Sequence, residues 1–528
     1  MGYPIGDRSS FLFFSFLLFV RRALTMPQIS GKTTPFWIDS TTESNFQPLT
    51  QNLTVDVAVI GGGIAGVTAA FLLKRAGKTV ALIEAEQIAS KASGRTTAKV
   101  TSLHQLIYAS LVKKIGEEKA RLYAGSNQAA LEQIATLVEQ EQIDCDFSRQ
   151  SAYTFTESAD DLDKVRAEVE AAALLGLPAS FVEETSLPFP VVGAVKFENQ
   201  AQFHVRKYLL HLAQQINGDG SRVFESTRVK TVEAGEPCDV ITEQGTVKAL
   251  DVIVTTNLPI LDQGLFFAKT FPKRSYIVAA KIDPSQAPDG MFIGFGDHYR
   301  SIRTTPYKDG LLLLIGGEGH KVGSETHTEE RYLALEKYGR ERFGIETFDY
   351  RWSGQDIKSF DDLPYVGTLT PFDKHVYVAT GFSLWGMTNG TMSGMLLCDR
   401  ILGKDNPWAD LYDATRATPF VTETSIKENL DVGVHWVGDR LKGLDSFSFD
   451  SIGKDEGKLV TIDGTKVAAY RDSQGEIHAV SATCPHLGCI VDWNSAEKSW
   501  DCPCHGGRFS CDGQILNGPP VKNLDVLK

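Results

Sequence analysis

A strand–helix–strand alternation of apolar and polar positions marks residues 55–84. Val55–Ile60 is a short apolar run rich in β-branched residues, which predicts a buried strand. Ala65–Ala76 carries apolar residues at helical spacing and predicts a helix that ends at Gly77. Thr79–Ile83 predicts a second strand, which Glu84 follows directly. This alternation predicts an α/β unit.

Three glycines at the G-x-G-x-x-G spacing, Gly61, Gly63 and Gly66, lie between the first strand and the helix. The first allows a tight turn, the second lets a pyrophosphate approach the backbone, and the third lets helix and strand pack closely. The helix N-terminus offers N–H groups to phosphates, and Glu84 can accept hydrogen bonds from a ribose. A glycine-rich turn is the alternative, but strand, turn, helix, strand and acid occur here in order. The predicted dinucleotide site comprises Gly61, Gly62, Gly63, Ile64, Ala65, Gly66, Glu84 and Ala85.

The middle of the chain alternates predicted helices with predicted strands. Helical periodicity predicts helices at Gly116–Gln142, Ala159–Leu175 and Ala201–Leu212. The predicted strands are Arg222–Ala234, Asp239–Asp251, Arg274–Ile282 and Leu311–Ile315.

From about Asp431 the pattern changes to short strands and turns, predicted at Lys458–Ile462, Lys466–Tyr470 and Ile477–Val480. This region contains the sequences Cys484–Pro–His486 and Cys502–Pro–Cys504–His505. Two cysteines and two histidines from two loops suit a [2Fe–2S] centre, in which thiolates hold one iron and imidazoles the other. Structural zinc is the alternative, although it more often pairs cysteines as C-x₂₋₄-C.

Composition narrows the choice of partners. The formal net charge of −13 argues against a nucleic-acid partner. Five of the eight cysteines lie between Cys484 and Cys511, which indicates a metal site rather than a secreted disulfide framework.

The apolar run Phe11–Val20 is shorter than the roughly 20 residues that span a bilayer. We interpret Met26 as the working start of a cytoplasmic protein, with a short membrane anchor in Met1–Thr25 as the alternative.

The fingerprint, Glu84 and the loop Ser93–Gly94–Arg95–Thr96–Thr97 resemble the flavoprotein family of D-amino-acid oxidase, glycine oxidase and sarcosine oxidase. This resemblance implies FAD, with the loop near the flavin. It also implies that Val229 touches adenine and that the run containing Thr255 passes the diphosphate. Val376–Gly394 predicts a strand, a glycine turn and a helix from near Thr388, whose N-terminus can stabilise a reduced flavin. In the resembling family, the segments that match Trp352–Gly367 and Val376–Gly394 close the flavin site, so the residues implied around the flavin ring are Gly381, Phe382, Gly386, Met387 and Thr388. A buried glycine-rich core turn is the alternative.

The electron donor is expected to be an organic substrate. Gly316–Gly323 follows a strand, but its glycines miss the fingerprint spacing by one residue, so we predict a hairpin or loop there. Without a second fingerprint, NAD(P)H is not the expected donor. Trp352–Gly367 contains no Cys or His, so non-covalent FAD is predicted. His104, Arg300 and Arg303 are the candidate substrate-facing residues.

Roughly the last 95 residues resemble the Rieske ferredoxin family. Carried over, Cys484 and Cys502 bind one iron, and His486 and His505 bind the other. Cys489 and Cys504 match the two cysteines that form a disulfide in the electron-transfer type, and Gly518–Pro519–Pro520 resembles the loop that covers the cluster. Gly507 and Phe509 replace the serine and tyrosine of high-potential members. A potential in the lower part of the Rieske range, about −150 to +300 mV, is therefore expected. We assign no role to Cys511.

The predicted fold is a Rossmann-like α/β FAD-binding domain with an inserted β-sheet substrate domain, plus a small all-β Rieske domain. The predicted segments are a non-core segment 1–25, an oxidoreductase domain 26–415, a linker 416–430 and a Rieske domain 431–528. The predicted function is oxidation of a small amine or amino acid, with electrons passed through the cluster to an external ferredoxin, cytochrome or quinone. The alternatives are an oxidase that uses O₂ with a regulatory Rieske module, and a redox-sensing or assembly protein.

Overall fold

The computed structural model describes residues 29–296, 299–325, 327–417 and 449–527. The segment Met1–Thr25, residues 418–430 of the predicted linker and residues 431–448 of the predicted Rieske domain lie outside the described residues. None of the helices in the described ranges is both long and apolar enough to cross a membrane. The helices are α1 (Phe36–Asp39), α2 (Ile64–Arg75), α3 (Tyr108–Ile115), α4 (Glu117–Gln140), α5 (Leu162–Leu174), α6 (Val205–Ile216), α7 (Glu329–Phe343), α8 (Gly386–Ile401) and α9 (Ala409–Tyr412).

Two large sheets precede two small ones along the chain. The strands of the large sheets are β1 (Leu53–Ile60), β2 (Val80–Ile83), β3 (Lys99–Val100), β4 (Ser148–Thr156), β5 (Ala179–Val182), β6 (Gly193–Gln202), β7 (Arg222–Phe224), β8 (Val229–Glu233), β9 (Cys238–Thr242), β10 (Thr246–Val254), β11 (Thr270–Ile282), β12 (Met291–Gly294), β13 (Arg300–Tyr307), β14 (Gly310–Lys321), β15 (Tyr350–Ser359), β16 (Tyr365–Thr368) and β17 (Val376–Thr380). The strands of the small sheets are β18 (Glu456–Ile462), β19 (Thr465–Arg471), β20 (Ile477–Ser481), β21 (Asp492–Asn494), β22 (Ser499–Asp501), β23 (Arg508–Ser510) and β24 (Ile515–Asn517).

The first large sheet carries the dinucleotide fingerprint. Its strand order is β16-β17-β10-β1-β2-β7, with β9 beside β10 and β8 beside β9. The strands from β17 to β7 in this order run parallel. β2 and β17 are entirely buried, as is typical of parallel strands covered on both faces. α2 packs so closely on α8 that a Cβ at Gly390 would lie 2.6 Å from Ile64. The predicted α/β FAD-binding unit is confirmed.

The second large sheet has the order β15-β11-β14-β13-β12-β4-β6-β3, with β5 paired to β6. α7 covers part of it, and Tyr332 and Leu335 of this helix share a core with Val278 and Leu313 of the sheet. β3 begins two residues after Thr97 and pairs with β6, so the flavin loop leads directly into this sheet. The predicted second, inserted sheet is therefore present and meets the nucleotide unit at that loop.

The C-terminal module consists of two antiparallel sheets, β18-β19-β20 and β21-β22-β23-β24. Trp500 and Phe509 are fully buried in its core. One cysteine–histidine loop lies between β20 and β21, and the other lies between β22 and β23. A disulfide between Cys489 and Cys504 joins the two loops. The module is all-β in the residues that the structure describes.

Several predicted boundaries are wrong. Ala201 belongs to β6, where it pairs with Val100 and Arg149, and this strand ends at Gln202, so α6 begins only at Val205. The His204 ring at the N-cap accepts a hydrogen bond from the Lys207 amide at 3.3 Å, which fixes that start. The predicted strand Arg222–Ala234 divides into β7 and β8, which a turn containing Ser226 at φ +48° separates. α8 begins at Gly386, two residues before the predicted start.

The hairpin or loop predicted at Gly316–Gly323 is wrong over most of its length. Gly316–Lys321 forms the second half of β14 and pairs with β11 and β13. Gly317 is required by close packing, since a Cβ there would lie 2.8 Å from the Tyr299 carbonyl oxygen. The turn begins only after Lys321, with Gly323 at φ +73°.

Candidate cofactor sites and their shared wall

The fingerprint glycines lie where the turn leaves no room for side chains. Gly61 adopts φ +110°, and a Cβ there would lie 2.6 Å from the Thr255 carbonyl oxygen. A Cβ at Gly66 would lie 2.0 Å from the Gly61 carbonyl oxygen. The turn and the first turn of α2 therefore approach β10 as closely as backbones can.

Glu84 supports the turn from the end of β2. Its carboxylate accepts hydrogen bonds from the Gly62 amide at 2.7 Å and from the Glu86 amide at 2.9 Å. Burial raises the pKa of the Glu84 carboxyl, although both amides oppose the rise. The side chain lines the adjacent cavity, so it is positioned both to hold the glycine turn and to meet a ribose.

The flavin loop is fixed to the same turn. Ser93 Oγ accepts a hydrogen bond from the Ile64 amide at 3.0 Å. A Cβ at Gly94 would lie 1.9 Å from the Ala89 carbonyl oxygen, so this glycine is required by packing. The Arg95 carbonyl accepts a hydrogen bond from the Trp352 indole at 3.0 Å, which ties the loop to β15.

A cavity of about 270 Å³ runs along these elements. Sixteen of the predicted cofactor residues line it: Gly61, Gly62, Gly63, Ile64, Ala65, Glu84, Ala85, Ser93, Arg95, Thr96, Thr97, Val229, Thr255, Phe382, Gly386 and Met387. Gly66 and Gly94 lie behind the wall, and Gly381 lies in a turn at φ +77° beside Ser359. FAD requires hydrogen-bond donors for its diphosphate and an acceptor for its ribose. Here the main-chain N–H groups at a helix N-terminus and a basic side chain are the donors, and the acid at a strand end is the acceptor.

Besides residues of β11, β13 and β14, sequence reasoning missed three parts of this wall. Gln355 and Asp356 line it from β15, inside the stretch that the flavoprotein resemblance already placed near the flavin. Burial raises the pKa of Asp356 to about 6, although its carboxylate accepts from the Leu384 amide at 2.6 Å. The third part is Leu516–Val521, which comes from the C-terminal module and which no local pattern indicated.

A second cavity of about 240 Å³ adjoins the first at the flavin loop and the start of α8. The two cavities share Thr96, Thr97, Gly386 and Met387 among their lining residues. Three lysines face the second cavity, which are Lys99, Lys273 and Lys358. The Lys99 ammonium donates to the Phe292 carbonyl at 2.6 Å and to Ser301 Oγ at 2.7 Å. Burial, reinforced by Arg303, lowers the pKa of Lys99 well below its usual value.

His104 lines this second cavity together with Thr388. Its Nδ1 lies 2.6 Å from the Tyr123 hydroxyl, its Nε2 lies 2.9 Å from the Thr101 carbonyl oxygen, and its ring stacks on Trp385. Burial lowers the pKa of His104 to about 3, so the ring is neutral. His104 therefore lies beside the substrate-side space, held in one orientation.

The two candidate arginines lie elsewhere. Arg303 is buried and donates to the main-chain carbonyls of Ala98 at 2.7 Å and Thr304 at 3.1 Å. Arg300 pairs with Glu318 at 2.6 Å and lies over the ring of Tyr338. Neither side chain lines either cavity, so the structure gives both arginines structural contacts.

The four residues implied as iron ligands converge in the C-terminal module. Cys484 and Cys502 are both buried, and the rings of His486 and His505 lie 5.0 Å apart. His505 Nδ1 is buried without a hydrogen-bond partner, as an atom reserved for a metal should be. The sulfurs of Cys489, Cys502 and Cys504 lie within 4.8 Å of one another, but the disulfide occupies two of them. The arrangement fits a [2Fe–2S] cluster held by two thiolates and two imidazoles.

A buried network of charges joins this module to the FAD-binding part. Glu497 pairs with Arg274 at 3.1 Å and with Arg508 at 2.6 Å, and it also accepts from Ser353. Asp501 pairs with Arg508 at 2.7 Å. Burial favours the neutral form of Glu497, but the two arginines outweigh it and hold the pKa of this carboxyl far below its usual range.

The cluster loops also meet the FAD cavity. Gln355 donates from Nε2 to the Gly506 carbonyl at 2.8 Å. A Cβ at Gly507 would lie 2.7 Å from Pro520 and 3.6 Å from Cys484 Sγ. Because Pro520 also lines the FAD cavity, the loop that covers the cluster residues is at the same time a wall of the flavin site.

This fold and these two sites define a flavin-dependent oxidoreductase joined to an iron–sulfur module. The chain belongs to the DAO family of FAD dependent oxidoreductases, whose family model matches residues 56–400, and the Rieske [2Fe-2S] domain model matches residues 447–528. The predicted cofactors, FAD and a [2Fe–2S] cluster, are thereby confirmed.

Individual relatives agree with this assignment. The chain is 36% identical over 93% of its length, and 97% of the relative's, to a Bacillus subtilis protein named Rieske 2Fe-2S iron-sulfur protein YhfW. It is 24% identical to gamma-glutamylputrescine oxidoreductase of Escherichia coli, covering 71% of this chain and 89% of the relative. The crystal structure of glycine oxidase from Geobacillus kaustophilus superposes with a TM-score of 0.59 at 20% identity, covering 69% of this chain and 99% of the other. That last likeness concerns the fold alone.

Proposed function

We propose that this protein is an FAD-dependent dehydrogenase of a small amine or amino acid, and that its Rieske module passes the electrons to an external acceptor. The observation that carries this proposal is the segment Leu516–Val521, which lines the FAD cavity while Pro520 packs over Gly507 beside Cys484. When bound, FAD would supply hydride acceptance, and the cluster would supply one-electron transfer. A shared wall is what a two-electron to one-electron converter requires.

The second cavity is the proposed substrate site. It adjoins the flavin end of the FAD cavity at Thr97 and Met387. Lys273 and Lys358 outnumber Asp362, which lines the same cavity 3.7 Å from Lys358, and the remaining positive charge favours a substrate that carries a carboxylate. The name of one relative, a gamma-glutamylputrescine oxidoreductase, supports an amine or amino acid as the class of substrate.

The residues around this cavity have roles that follow from their contacts. The Lys99 ammonium is held between a carbonyl and a hydroxyl and lines this cavity, so we assign it contact with the substrate's polar groups. His104, fixed by Tyr123 and Thr101, is a positioning residue for Thr388, whose hydroxyl lies 3.1 Å from Nε2.

The decisive experiment compares Cys484→Ser with Cys511→Ser under anaerobic conditions. Cys511 is the matched control because it lies in the same module outside the proposed ligand set. A panel of amines and amino acids is added while flavin absorbance and the reduced-cluster EPR signal are followed. In both variants the flavin should bleach with the same substrate. Only Cys484→Ser should lose the EPR signal and turnover with one-electron acceptors.

Three results would contradict the proposal. Unchanged turnover in Cys484→Ser would remove the cluster from the electron path. Stoichiometric peroxide formation in air, with no dependence on an added acceptor, would indicate an oxidase with a regulatory module. A flavin that stays oxidised with every amine would favour a redox-sensing role.

A further inference from the structure

The edge of the Rieske module that carries the two histidines is covered by a segment of the FAD domain, Asp262–Ala268. His486 Nε2 lies 2.9 Å from Asp262 Oδ1, and the His486 side chain is only 7% exposed. The Phe267 ring lies 5.9 Å from the His486 ring and 5.2 Å from the His505 ring. Both histidines therefore face this segment rather than solvent.

The covering segment is firmly built into the FAD domain. It consists of two short 3₁₀ turns, Asp262–Gly264 and Phe266–Ala268, joined by Leu265 in the left-handed region at φ +51°. Phe266, the first residue of the second turn, is buried, and its ring lies 5.7 Å from the ring of Tyr365. A non-glycine residue at positive φ persists only where the surrounding structure holds it in place. Asp262 and Phe267 are thus presented to the histidines by a fixed loop.

The contact with Asp262 determines which nitrogen of His486 is available to iron. A carboxylate is acceptor-only, so Nε2 carries the proton in this pair and Nδ1 keeps its lone pair. His505 offers the same nitrogen, since its Nδ1 is the buried atom without a partner. A carboxylate hydrogen-bonded to the outer nitrogen of a ligating histidine fixes the ring and increases its donation to the metal.

We propose that Asp262 is a positioning residue that fixes His486 as an iron ligand and lowers the reduction potential of the cluster. Negative charge beside a ligand disfavours addition of an electron to the cluster. This inference rests on the cluster and not on the proposed substrate or acceptor. The proposed role of Asp262 can therefore be wrong while the proposed function is right, and the proposed function can be wrong while the role of Asp262 is right.

The test measures the cluster's midpoint potential by EPR-monitored titration of the full chain. Asp262→Asn keeps the shape of the side chain and removes its charge, whereas Asp262→Glu keeps the charge. Asp289→Asn is the control, because it removes an exposed carboxylate of the same domain. We expect Asp262→Asn to shift the one-electron equilibrium about tenfold towards the reduced cluster, or about 59 mV upward. The midpoint potentials of Asp262→Glu and Asp289→Asn should stay close to that of the parent.

A readout of ligand geometry accompanies the potential. The EPR g-values should change in Asp262→Asn, because the neutral amide oxygen of Asn holds the His486 ring N–H less strongly than a carboxylate does, and they should return towards those of the parent in Asp262→Glu. An unchanged potential and unchanged g-values in Asp262→Asn, measured on the clusters present, would overturn the proposal. Equal shifts in Asp262→Asn and Asp289→Asn would also overturn it, because the effect would then come from overall charge.

Discussion

In the FAD domain the dinucleotide fingerprint is one continuous turn, Gly61–Gly66, whereas in the Rieske module four ligand side chains come from two loops. The first site depends on the absence of side chains, since a Cβ at Gly61 or Gly66 would strike main-chain oxygens. The second depends on a crosslink, the disulfide Cys489–Cys504, and on Pro520 packed over Gly507. Backbone geometry therefore specifies the FAD site, and the tethering of two loops specifies the cluster site.

The two regions differ again where they meet. Each cofactor site is formed mainly by its own module, with Leu516–Val521 of the Rieske module completing the wall of the FAD cavity. The surface between the modules is held by buried charges: Arg274 comes from β11, and Glu497, Asp501 and Arg508 come from the Rieske module. A buried charge is stable only while its partners stay in place. The docking of the two modules should therefore be sensitive to single charge changes that leave both cofactor sites chemically intact.

The largest expected effect comes from Glu497→Gln. Removing this charge leaves Arg274 and Arg508 buried with only Asp501 as counter-charge, which should cost about 3–5 kcal/mol. We expect the single thermal unfolding transition of the parent to split, with the Rieske module separating first. Differential scanning calorimetry with parallel EPR and flavin absorbance measures this. Glu132→Gln, which removes an exposed partner of Arg149, is the matched control and should change stability by about 1 kcal/mol or less.

A single cooperative transition in Glu497→Gln at the parent temperature would show that the network does not couple the modules. The two modules would then be held together by contacts other than these buried charges.

A smaller effect, confined to one region, is expected from Gly66→Ala. The new Cβ would lie 2.0 Å from the Gly61 carbonyl oxygen, so helix α2 must move away from the turn. Overpacking of this kind costs about 1–3 kcal/mol, and FAD should be lost because the turn no longer fits a diphosphate. Gly125→Ala is the control: it lies in α4 with open space around it and should be neutral or slightly stabilising.

The effect of Gly66→Ala is measured by the flavin content after gel filtration and by the intensity of the cluster EPR signal. Loss of flavin with a normal cluster signal would show that the Rieske site forms without an intact FAD turn. Loss of both signals would show that the Rieske module folds only on an intact FAD site.

Sequence alone predicted the parts of each site that are local in the chain. The fingerprint, the flavin loop and the cysteine–histidine loops each lie within a few consecutive residues, and their spacing follows from the chemistry of the cofactor. What sequence missed depends on how the modules dock: Asp262 meets His486 across 224 positions, and Leu516–Val521 reaches back to the FAD cavity. Gly316 and Gly317 were misread because glycine usually weakens a strand, whereas here Gly317 allows close packing.

The effect that develops most gradually is a dependence of stability on pH, which has opposite signs for two buried glutamates. Glu497, which is buried between the two modules, has a lowered pKa. Its contribution to the free energy of unfolding is therefore present above pH 4.5 and lost as the pH falls. Glu168 inside the FAD domain accepts hydrogen bonds from the Tyr108 amide at 2.7 Å and the Ala109 amide at 2.9 Å, at the start of α3. Burial raises the pKa of Glu168 to about 7 from an ordinary value of 4.5.

Folded protein therefore keeps the proton of Glu168 between pH 4.5 and 7, where the unfolded chain has released it. Its contribution to stability is complete below pH 4.5 and is lost as the pH rises through 7, with a slope of at most about 1.4 kcal/mol per pH unit. Denaturant unfolding of the parent and of Glu168→Gln between pH 5 and 8 measures this, and the variant should lack the slope. A parent whose FAD domain gains stability over that range relative to Glu168→Gln would contradict the assignment, since both proteins share every other titrating group.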